Sequence, residues 1–139
     1  MVRALLFAIA LCAPAVAQPA VTAGDLAEIR AVINRQIEAF RRDDAESAFA
    51  LVSPAVQHTY GTPERFLDVM RTSYHPVYRP SAIVFLEPVM FGSDAVQPVQ
   101  LTDRAGAVWL AYYAMQRQKD GSWRAAGCHL VQRALTIPT

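Results

Sequence analysis

The spacing of apolar residues changes once along this chain, near Ser81. Before that point apolar residues recur every three or four positions, which is the spacing of one face of an α-helix. After it they alternate with a period of two, which is typical of half-buried β-strands. Helices followed by strands, rather than alternating with them, predict an α+β fold in which the helices pack on one face of an antiparallel sheet.

Three helices are predicted before the change of period. The three-residue spacing of Asp25 and Glu28 resembles a capping signal and predicts the start of the first helix. Its apolar stripe consists of Leu26, Ile29, Ile33, Ile37 and Phe40. The second helix is capped by Asp43 or Asp44 and is predicted to end at Pro54, because a proline disfavours helical geometry in the residue before it.

The third helix is predicted from a Thr-Pro-Glu triplet at residues 62–64, which supplies a cap, a first-turn proline and a first-turn acid. It is predicted to end near Ser73. Pro76 and Pro80 follow, and we expect them to hold the next segment extended.

About four antiparallel strands are predicted, at residues 83–91, 96–102, 107–118 and 122–132. Asp120-Gly121 is a strong signal for the hairpin between the last two. Pro88 and Pro98 predict edge positions for the first two, because proline cannot donate a hydrogen bond to the ladder.

The last strand has one face that carries a large aromatic residue and no formal charge, and we expect this face to contact the helices. It consists of Trp123, Ala125, Gly127, His129 and Val131. Small side chains in the middle of a core face let a helix approach closely or leave a pocket.

The first seventeen residues have the pattern of a cleaved export signal. Arg3 is followed by ten apolar residues at 4–13, by Pro14, and by a small-x-small sequence at 15–17. Ten apolar residues are too few to span a bilayer, which needs about twenty. The sequence therefore predicts a signal peptide at 1–17, a single domain at 18–139, no stable membrane anchor after cleavage, and an exported protein, in the periplasm of a Gram-negative bacterium.

Charge and cysteine content exclude several classes of protein. Loss of Arg3 would leave 12 basic residues against 12 acidic ones, so the mature chain is formally neutral. A neutral chain argues against a nucleic-acid partner and against electrostatic docking on anionic lipid. Cys128 would be the only cysteine after cleavage, which excludes an internal disulfide and favours a buried thiol.

The sequence resembles a known fold and a known family. The segments "IRAVINRQIEAFRRDDAESAFALVSP" and "DGSWRAAGCHLV" resemble the nuclear transport factor 2-like, or SnoaL-like, cone fold. The segments "YGTPERF" and "YHPVYRP" resemble a family of exported proteobacterial proteins known only as domain of unknown function 4864. The resemblance implies three helices on a curved sheet of about four strands, with a conical cavity between the sheet and the first helix. The fold hosts isomerases and dehydratases as well as binding and dimerisation modules, so it implies no activity.

Candidate ligand-binding residues fall into two groups. Tyr74, Tyr78 and Arg79 are typical of a cradle for a small anion, and the alternative is a loop whose aromatic side chains seal the core. His129, near Trp123 and either Tyr112 or Tyr113, has the chemistry of a general base, and the alternative is a structural histidine.

No catalytic, metal or cofactor site is predicted. The sequence places no Asp or Glu at a core-facing, mid-strand position, and three histidines and Cys128 lack the spacing of a metal site. We therefore expect a non-catalytic module that binds a small apolar or anionic ligand or an envelope protein, with a homodimer through the outer sheet face. The alternatives are a small isomerase, dehydratase or hydrolase using His129 or His75 with a tyrosine, and a redox role for Cys128, which needs an exposed thiol.

Overall fold

The computed structural model describes residues 13–14 and 21–134. The predicted signal peptide lies outside these residues, apart from Ala13 and Pro14. The described elements are α1 Ala23–Arg41, α2 Ala45–Ala50, α3 Pro54–Tyr60, α4 Pro63–Ser73, α5 His75–Tyr78, β1 Ala82–Phe85, β2 Val89–Phe91, β3 Asp94–Thr102, β4 Val108–Arg117 and β5 Trp123–Gln132. The α+β prediction is confirmed. In the described part of the chain, none of the helices is long and apolar enough to cross a membrane.

Helix α1 begins two residues before Asp25, so the predicted Asp25–Glu28 cap is wrong. Thr22 is the N-cap, and its hydroxyl accepts a hydrogen bond from the Asp25 backbone N–H at 3.1 Å. The Asp25 carboxylate accepts one in return from the Thr22 N–H at 2.9 Å, which completes a capping box. Asp25 is therefore the third residue of the helix and not the residue that caps it.

Two short helices replace segments that were predicted to be non-helical. Pro54 opens α3 instead of only ending α2, because Ser53 caps the new helix and the first helical position needs no N–H. Pro76 likewise lies in the first turn of α5, where an extended segment was predicted. In both places a proline begins a helix, and periodicity over so few residues could not reveal it.

The sheet is antiparallel, with the order β1-β3-β4-β5 and with β2 beside β3. The predicted first strand is divided into β1 and β2 around Pro88. The prediction that Pro98 marks an edge strand is wrong, because β3 is paired on both sides.

Pro98 is tolerated inside the sheet because it lies at the gap between β1 and β2. Its carbonyl accepts the Leu86 N–H at 3.0 Å, but it has no N–H to return to the Leu86 carbonyl. The buried Gln97 side chain replaces that donor, since its Nε2 lies 2.6 Å from the Leu86 carbonyl oxygen. A side-chain amide thus completes the ladder where the backbone cannot.

A bulge in β5 divides its two faces differently from the prediction. Met115 pairs with Ala125 but Ala114 pairs with Gly127, so Ala126 is an extra residue. Strict alternation would keep Trp123, Ala125 and His129 on one face. The extra residue reverses the alternation, so that Cys128 and Leu130 pack on the core while Gly127, His129 and Val131 are exposed.

The core lies between α1 and the concave face of the sheet. Its largest fully buried side chains include Ile29, Ile33, Ile37 and Phe40 from α1 and Val99, Leu101, Tyr113, Met115 and Trp123 from the sheet. The start of α1 is tied to the sheet by a bidentate ion pair. Arg117 Nη1 and Nη2 lie 3.1 and 3.0 Å from the two carboxylate oxygens of Asp25.

Candidate ligand-binding cavity

A cavity of about 270 Å³ lies between the helices and the sheet, near the bulge in β5. Residues of α1, α3, α4, β4 and β5 form its wall. They are Gln36, Val52, Val56, Thr59, Tyr60, Phe66, Met70, Tyr74, Tyr113, Ala125, Ala126, Gly127 and Cys128. Of the two alternatives that the small side chains Ala125 and Gly127 left open, a close helix approach or a pocket, the structure has a cavity beside both residues, and exposed Thr59 and Gly127 mark where it meets solvent.

The wall next to β5 is fixed by backbone hydrogen bonds. The Ser53 N–H donates to the Ala125 carbonyl and the Ala125 N–H donates to the Leu51 carbonyl, both at 2.9 Å. These bonds form an isolated parallel bridge between Val52 and Ala125. They hold the α2–α3 connection against the bulged strand and therefore fix one end of the cavity.

Helix α3 forms the opposite, thinner wall. None of its seven residues is buried, and it contributes Val56, Thr59 and Tyr60 to the lining. A helix with no buried side chain gains little from packing, so we expect α3 to be among the least stable parts of the wall.

Tyr113 supplies the most unusual polar group of the cavity. Its side chain is 1% exposed, and its hydroxyl has no hydrogen-bond partner among the described residues. Buried hydroxyls in folded proteins are ordinarily paired, because burial without a partner costs free energy. Tyr113 lines the cavity, so its unpaired hydroxyl is the candidate hydrogen-bond donor for a ligand there.

Tyr74, Tyr113 and Cys128, three titratable residues of the cavity, have raised pKa values and are uncharged at neutral pH. Burial raises the pKa of Tyr113 well above its ordinary value, with a smaller contribution from Cys128. Burial also raises the pKa of the Cys128 thiol to about 12, and it is the largest cause of the raised pKa of Tyr74. No Asp, Glu, His, Lys or Arg is among the described lining residues. The cavity therefore favours a neutral ligand.

The six predicted ligand-binding residues are not brought together. Tyr74 lines the cavity, whereas Tyr78 and Arg79 lie in a separate surface cleft. Arg79 donates to the Phe40 carbonyl at 2.9 Å and to Asp43 at 3.1 Å, so part of its hydrogen-bonding capacity is already used. The predicted cradle of Tyr74, Tyr78 and Arg79 does not form as one site.

The other three predicted residues also lie apart from the cavity. Trp123 is buried and its indole N–H donates to Asp25 at 3.3 Å, so it belongs to the anchor of α1. Tyr112 and His129 are directly opposite each other on the outer face. The prediction that His129 faces the helices is wrong, because the bulge at Ala126 turns it outward.

The histidines do not form the predicted acid–base arrangement. His129 is exposed, and the His75 side chain is 58% exposed beside Asp103. The alternative enzyme hypothesis required one of them in a closed cavity within hydrogen-bond reach of a tyrosine hydroxyl or a carboxylate. His75 lies 3.6 Å from Asp103 but in an exposed surface cleft, and His129 lies on the outer face, so neither meets the requirement of a closed cavity. Within the described residues, no group of three His, Cys, Asp or Glu side chains could hold a metal ion.

Most of the cavity lining was not predicted from the sequence, including Tyr60, Gln36 and Cys128. Tyr60 ends a helix that was not predicted, and Cys128 depends on the bulge. Gln36 lies one position from the apolar stripe of α1 and is 2% exposed, with its amide donating to the Ala48 carbonyl at 3.4 Å. Only its position beside Ile33 and Ile37 could have indicated burial.

The outer face of the sheet exposes several large apolar side chains. Phe91 is 63% exposed, Val89 52%, Val84 49%, Val131 41% and Tyr112 37%. Their cross-strand pairing places them on the side of the sheet opposite the helices. An apolar surface of this extent is typical of an interaction site.

Comparison with known proteins supports the family resemblance. The family model DUF4864, a domain of unknown function, matches residues 22–137. The chain belongs to this family. No curated protein matches the sequence.

A crystal structure supports the fold assignment. The chain is similar to an NTF2-like protein of unknown function from Shewanella baltica OS155, with a TM-score of 0.58 and 13% sequence identity. The match covers 84% of this chain and 99% of the other. At this identity the similarity establishes the nuclear transport factor 2-like fold alone, with five described helices and five strands instead of the predicted three and four.

Proposed function

We propose that this DUF4864 protein is an exported, non-catalytic module that binds a neutral small molecule in the cavity between the helices and the sheet. The unpaired Tyr113 hydroxyl is the observation that carries the proposal. It favours a ligand with a hydrogen-bond acceptor, such as a carbonyl group. Export rests on the signal-peptide pattern at residues 1–17.

The size and lining of the cavity narrow the class of ligand. A cavity of roughly 150 Å³ holds one benzene molecule, so a cavity of about 270 Å³ has room for two fused rings. Tyr60, Phe66 and Tyr74 supply aromatic surface. A flat aromatic or alicyclic ketone therefore fits the polarity and the volume.

A titration with prodan, a neutral naphthalene ketone whose emission depends on polarity, tests the proposal. We expect a saturable blue shift with the intact protein. Ala125→Leu, which fills the cavity, should weaken the affinity by about tenfold or more, equivalent to about 1.4 kcal/mol. Ala55→Leu makes the same exchange on an exposed position of α3 and should leave the affinity unchanged. Absence of saturable binding, or equal loss in both variants, would refute cavity binding.

The exposed outer face favours a second function, association with a second copy of the chain. The face includes Leu110 and Tyr112 on β4 and Val131 on the edge strand β5, which carry no charge, as an interface that packs against its own copy requires. Strands β4 and β5 have ten residues each, β3 has nine, and β1 and β2 together have seven, so at about 3.4 Å per residue and about 4.8 Å between strands the face covers roughly 590 Å². Standard interfaces bury about 800 Å² per partner, with a lower limit of about 600 Å², so the area lies near the lower end of that range.

Sedimentation equilibrium tests self-association directly. We expect the wild-type protein to be a dimer at micromolar concentration and Val131→Glu to be a monomer, because the new carboxylate would lie in an apolar interface. Ala55→Glu is the control on a different surface. A wild-type protein that remains monomeric at high concentration would refute the dimer.

A further inference from the structure

A second cleft, of about 420 Å³, lies on the surface where α4 and α5 meet the turn between β3 and β4. It shares no lining residue with the cavity described above. Its wall consists of Arg71, His75, Tyr78, Arg79, Asp103, Arg104 and Ala105. Three guanidinium groups and one imidazole therefore line a single concave surface.

Two of the guanidinium groups are held in place by the Tyr78 ring. The Cζ atom of Arg79 lies 4.7 Å from the ring centroid and that of Arg71 lies 5.8 Å from it. The Tyr78 hydroxyl donates to Asp43, which also accepts a hydrogen bond from Arg79. Part of the entropy lost on fixing these long side chains is therefore already lost before a ligand binds.

The one carboxylate in the cleft wall is occupied by other donors. Asp103 accepts hydrogen bonds from the backbone N–H groups of Ala105 and Ala107, at 3.0 and 2.9 Å. It also accepts one from the Trp109 indole at 3.0 Å. These bonds, the indole first, lower the pKa of Asp103 and keep it ionised, and its Oδ2 also lies 3.6 Å from the Nε2 of His75. None of these hydrogen bonds comes from an arginine.

The arginines consequently retain donors for a further anion. Among the described residues, Arg104 has no carboxylate within ion-pair distance, and Arg71 has only the exposed Asp68, at 3.3 Å. Arg79 uses its two Nη atoms for Phe40 and Asp43, but each Nη atom carries a second proton. Planar guanidinium groups bind oxyanions through paired N–H donors.

We infer that this cleft binds the phosphate group of a small molecule. Asp43 pairs with Arg79 and Asp68 pairs with Arg71, but each guanidinium keeps further N–H donors, and Arg104 has no carboxylate within ion-pair distance among the described residues. These remaining donors suit a phosphate group, which offers several oxygens to converging guanidinium groups. The same chemistry is offered by a soluble phosphate compound and by a phospholipid headgroup, and the concave shape of the cleft suits either source. The inference does not depend on ligand binding in the cavity, because the two sites have no residue in common.

Isothermal titration with pyrophosphate, in a buffer free of phosphate, tests this inference on the intact protein. We expect one saturable site in the wild type. Arg71→Gln and Arg104→Gln should each weaken binding by about tenfold, because each removes a charged donor. Arg65→Gln removes an exposed arginine from α4 outside the cleft and should leave the affinity unchanged.

Vesicles distinguish the two sources of phosphate. Co-sedimentation with phosphatidylcholine vesicles that contain phosphatidic acid, lost in Arg71→Gln and Arg104→Gln but not in Arg65→Gln, would assign the site to a lipid headgroup. Pyrophosphate binding with the same pattern would assign it to a soluble compound. The inference is overturned if neither probe binds, or if the cleft variants bind as tightly as the wild type. Binding of prodan in the cavity would be unaffected by either result.

Discussion

Tyr112 and Tyr113 are neighbours in sequence but lie in opposite environments. Tyr113 is buried on the cavity wall without a hydroxyl partner, and Tyr112 is 37% exposed on the outer face. The alternation of side chains along β4 separates them. At the scale of single residues, the proposed role of Tyr113 in ligand binding depends on this difference in environment.

Tyr113→Phe should leave the free energy of unfolding unchanged or raise it by up to about 1 kcal/mol. The substitution removes a buried hydroxyl that has no protein partner, whereas removing a paired hydroxyl would cost about 0.5–1.5 kcal/mol. Urea unfolding, with the slope m constant, measures the change. A loss of more than about 1 kcal/mol would mean that the hydroxyl is paired within the folded protein.

Particular residues show what the sequence could and could not predict at this scale. The apolar stripe of α1 was predicted correctly from its spacing, because every third or fourth residue of a helix lies on one face. The orientation of His129 was not predicted correctly, because a single inserted residue exchanges the two faces of a strand for every residue after it. No composition signal distinguishes Ala126 from its neighbours.

Among the elements, β5 carries the feature that decides the cavity. Its bulge turns Cys128 toward Tyr113 and turns His129 toward solvent. Cys128 is half-buried and burial raises the pKa of its thiol, which argues against the exposed, reactive thiol that a redox role requires. The bulge therefore determines both which side chains line the cavity and which chemistry they support.

Thiol labelling tests which face of β5 residues 128 and 129 lie on. The experiment uses a Cys12→Ala background, which leaves one cysteine. Cys128 should react slowly with a disulfide reagent in the folded protein and rapidly after unfolding, because it is half-buried and the pKa of its thiol is raised to about 12. A variant with Cys128→Ala and His129→Cys should react in the folded state, at a rate roughly a hundredfold higher or more. Equal rates for the two folded proteins would contradict the assigned faces.

The ion pair between Asp25 of α1 and Arg117 of β4 makes the free energy of unfolding depend on pH. The Arg117 guanidinium, followed by the Thr22 backbone N–H, holds the pKa of Asp25 below its ordinary value of 3.8. Between the lowered pKa of Asp25 in the folded protein and its ordinary pKa in the unfolded chain, the unfolded chain binds a proton that the folded protein does not. The ion pair with Arg117 therefore stabilises the folded protein fully above pH 3.8, and this stabilisation is lost as the pH falls below that value.

Asp25→Asn should lower the urea midpoint at neutral pH and should reduce the further loss of stability between neutral pH and about pH 3. The amide cannot form the bidentate ion pair with Arg117. Asp68→Asn alters an exposed ion pair on α4 and is the matched control. A pH dependence as steep in Asp25→Asn as in the wild type would show that other groups are responsible.

At the scale of the whole molecule, the sequence predicted the class of fold but not whether the space between the helices and the sheet is open. The change of period near Ser81 predicted helices packed on one face of an antiparallel sheet, whereas the small side chains of β5 were compatible with either a closely packed helix or a pocket. It did not predict that Pro98 could lie inside the sheet, because the compensating donor is a side chain, Gln97. Nor could it predict α3, whose seven residues form part of the cavity wall without being buried.

The cavity and the second cleft, whose wall includes Arg71 and Arg104, lie in different parts of the molecule and differ in the charge of their lining residues. The cavity is lined by neutral groups and suits an apolar ketone, whereas the cleft is lined mainly by cationic groups. The outer face is a third surface, on the other side of the sheet. Each can be tested without disturbing the others, because their residues do not overlap.

The affinity for prodan in Tyr113→Phe, measured beside Tyr112→Phe, decides whether the Tyr113 hydroxyl binds the ligand. Each variant removes one hydroxyl from one of two adjacent tyrosines. We expect Tyr113→Phe to weaken prodan binding by about tenfold, which corresponds to one hydrogen bond of about 1.4 kcal/mol, and Tyr112→Phe to have no effect. Wild-type affinity in Tyr113→Phe would contradict the claim that this hydroxyl binds the ligand.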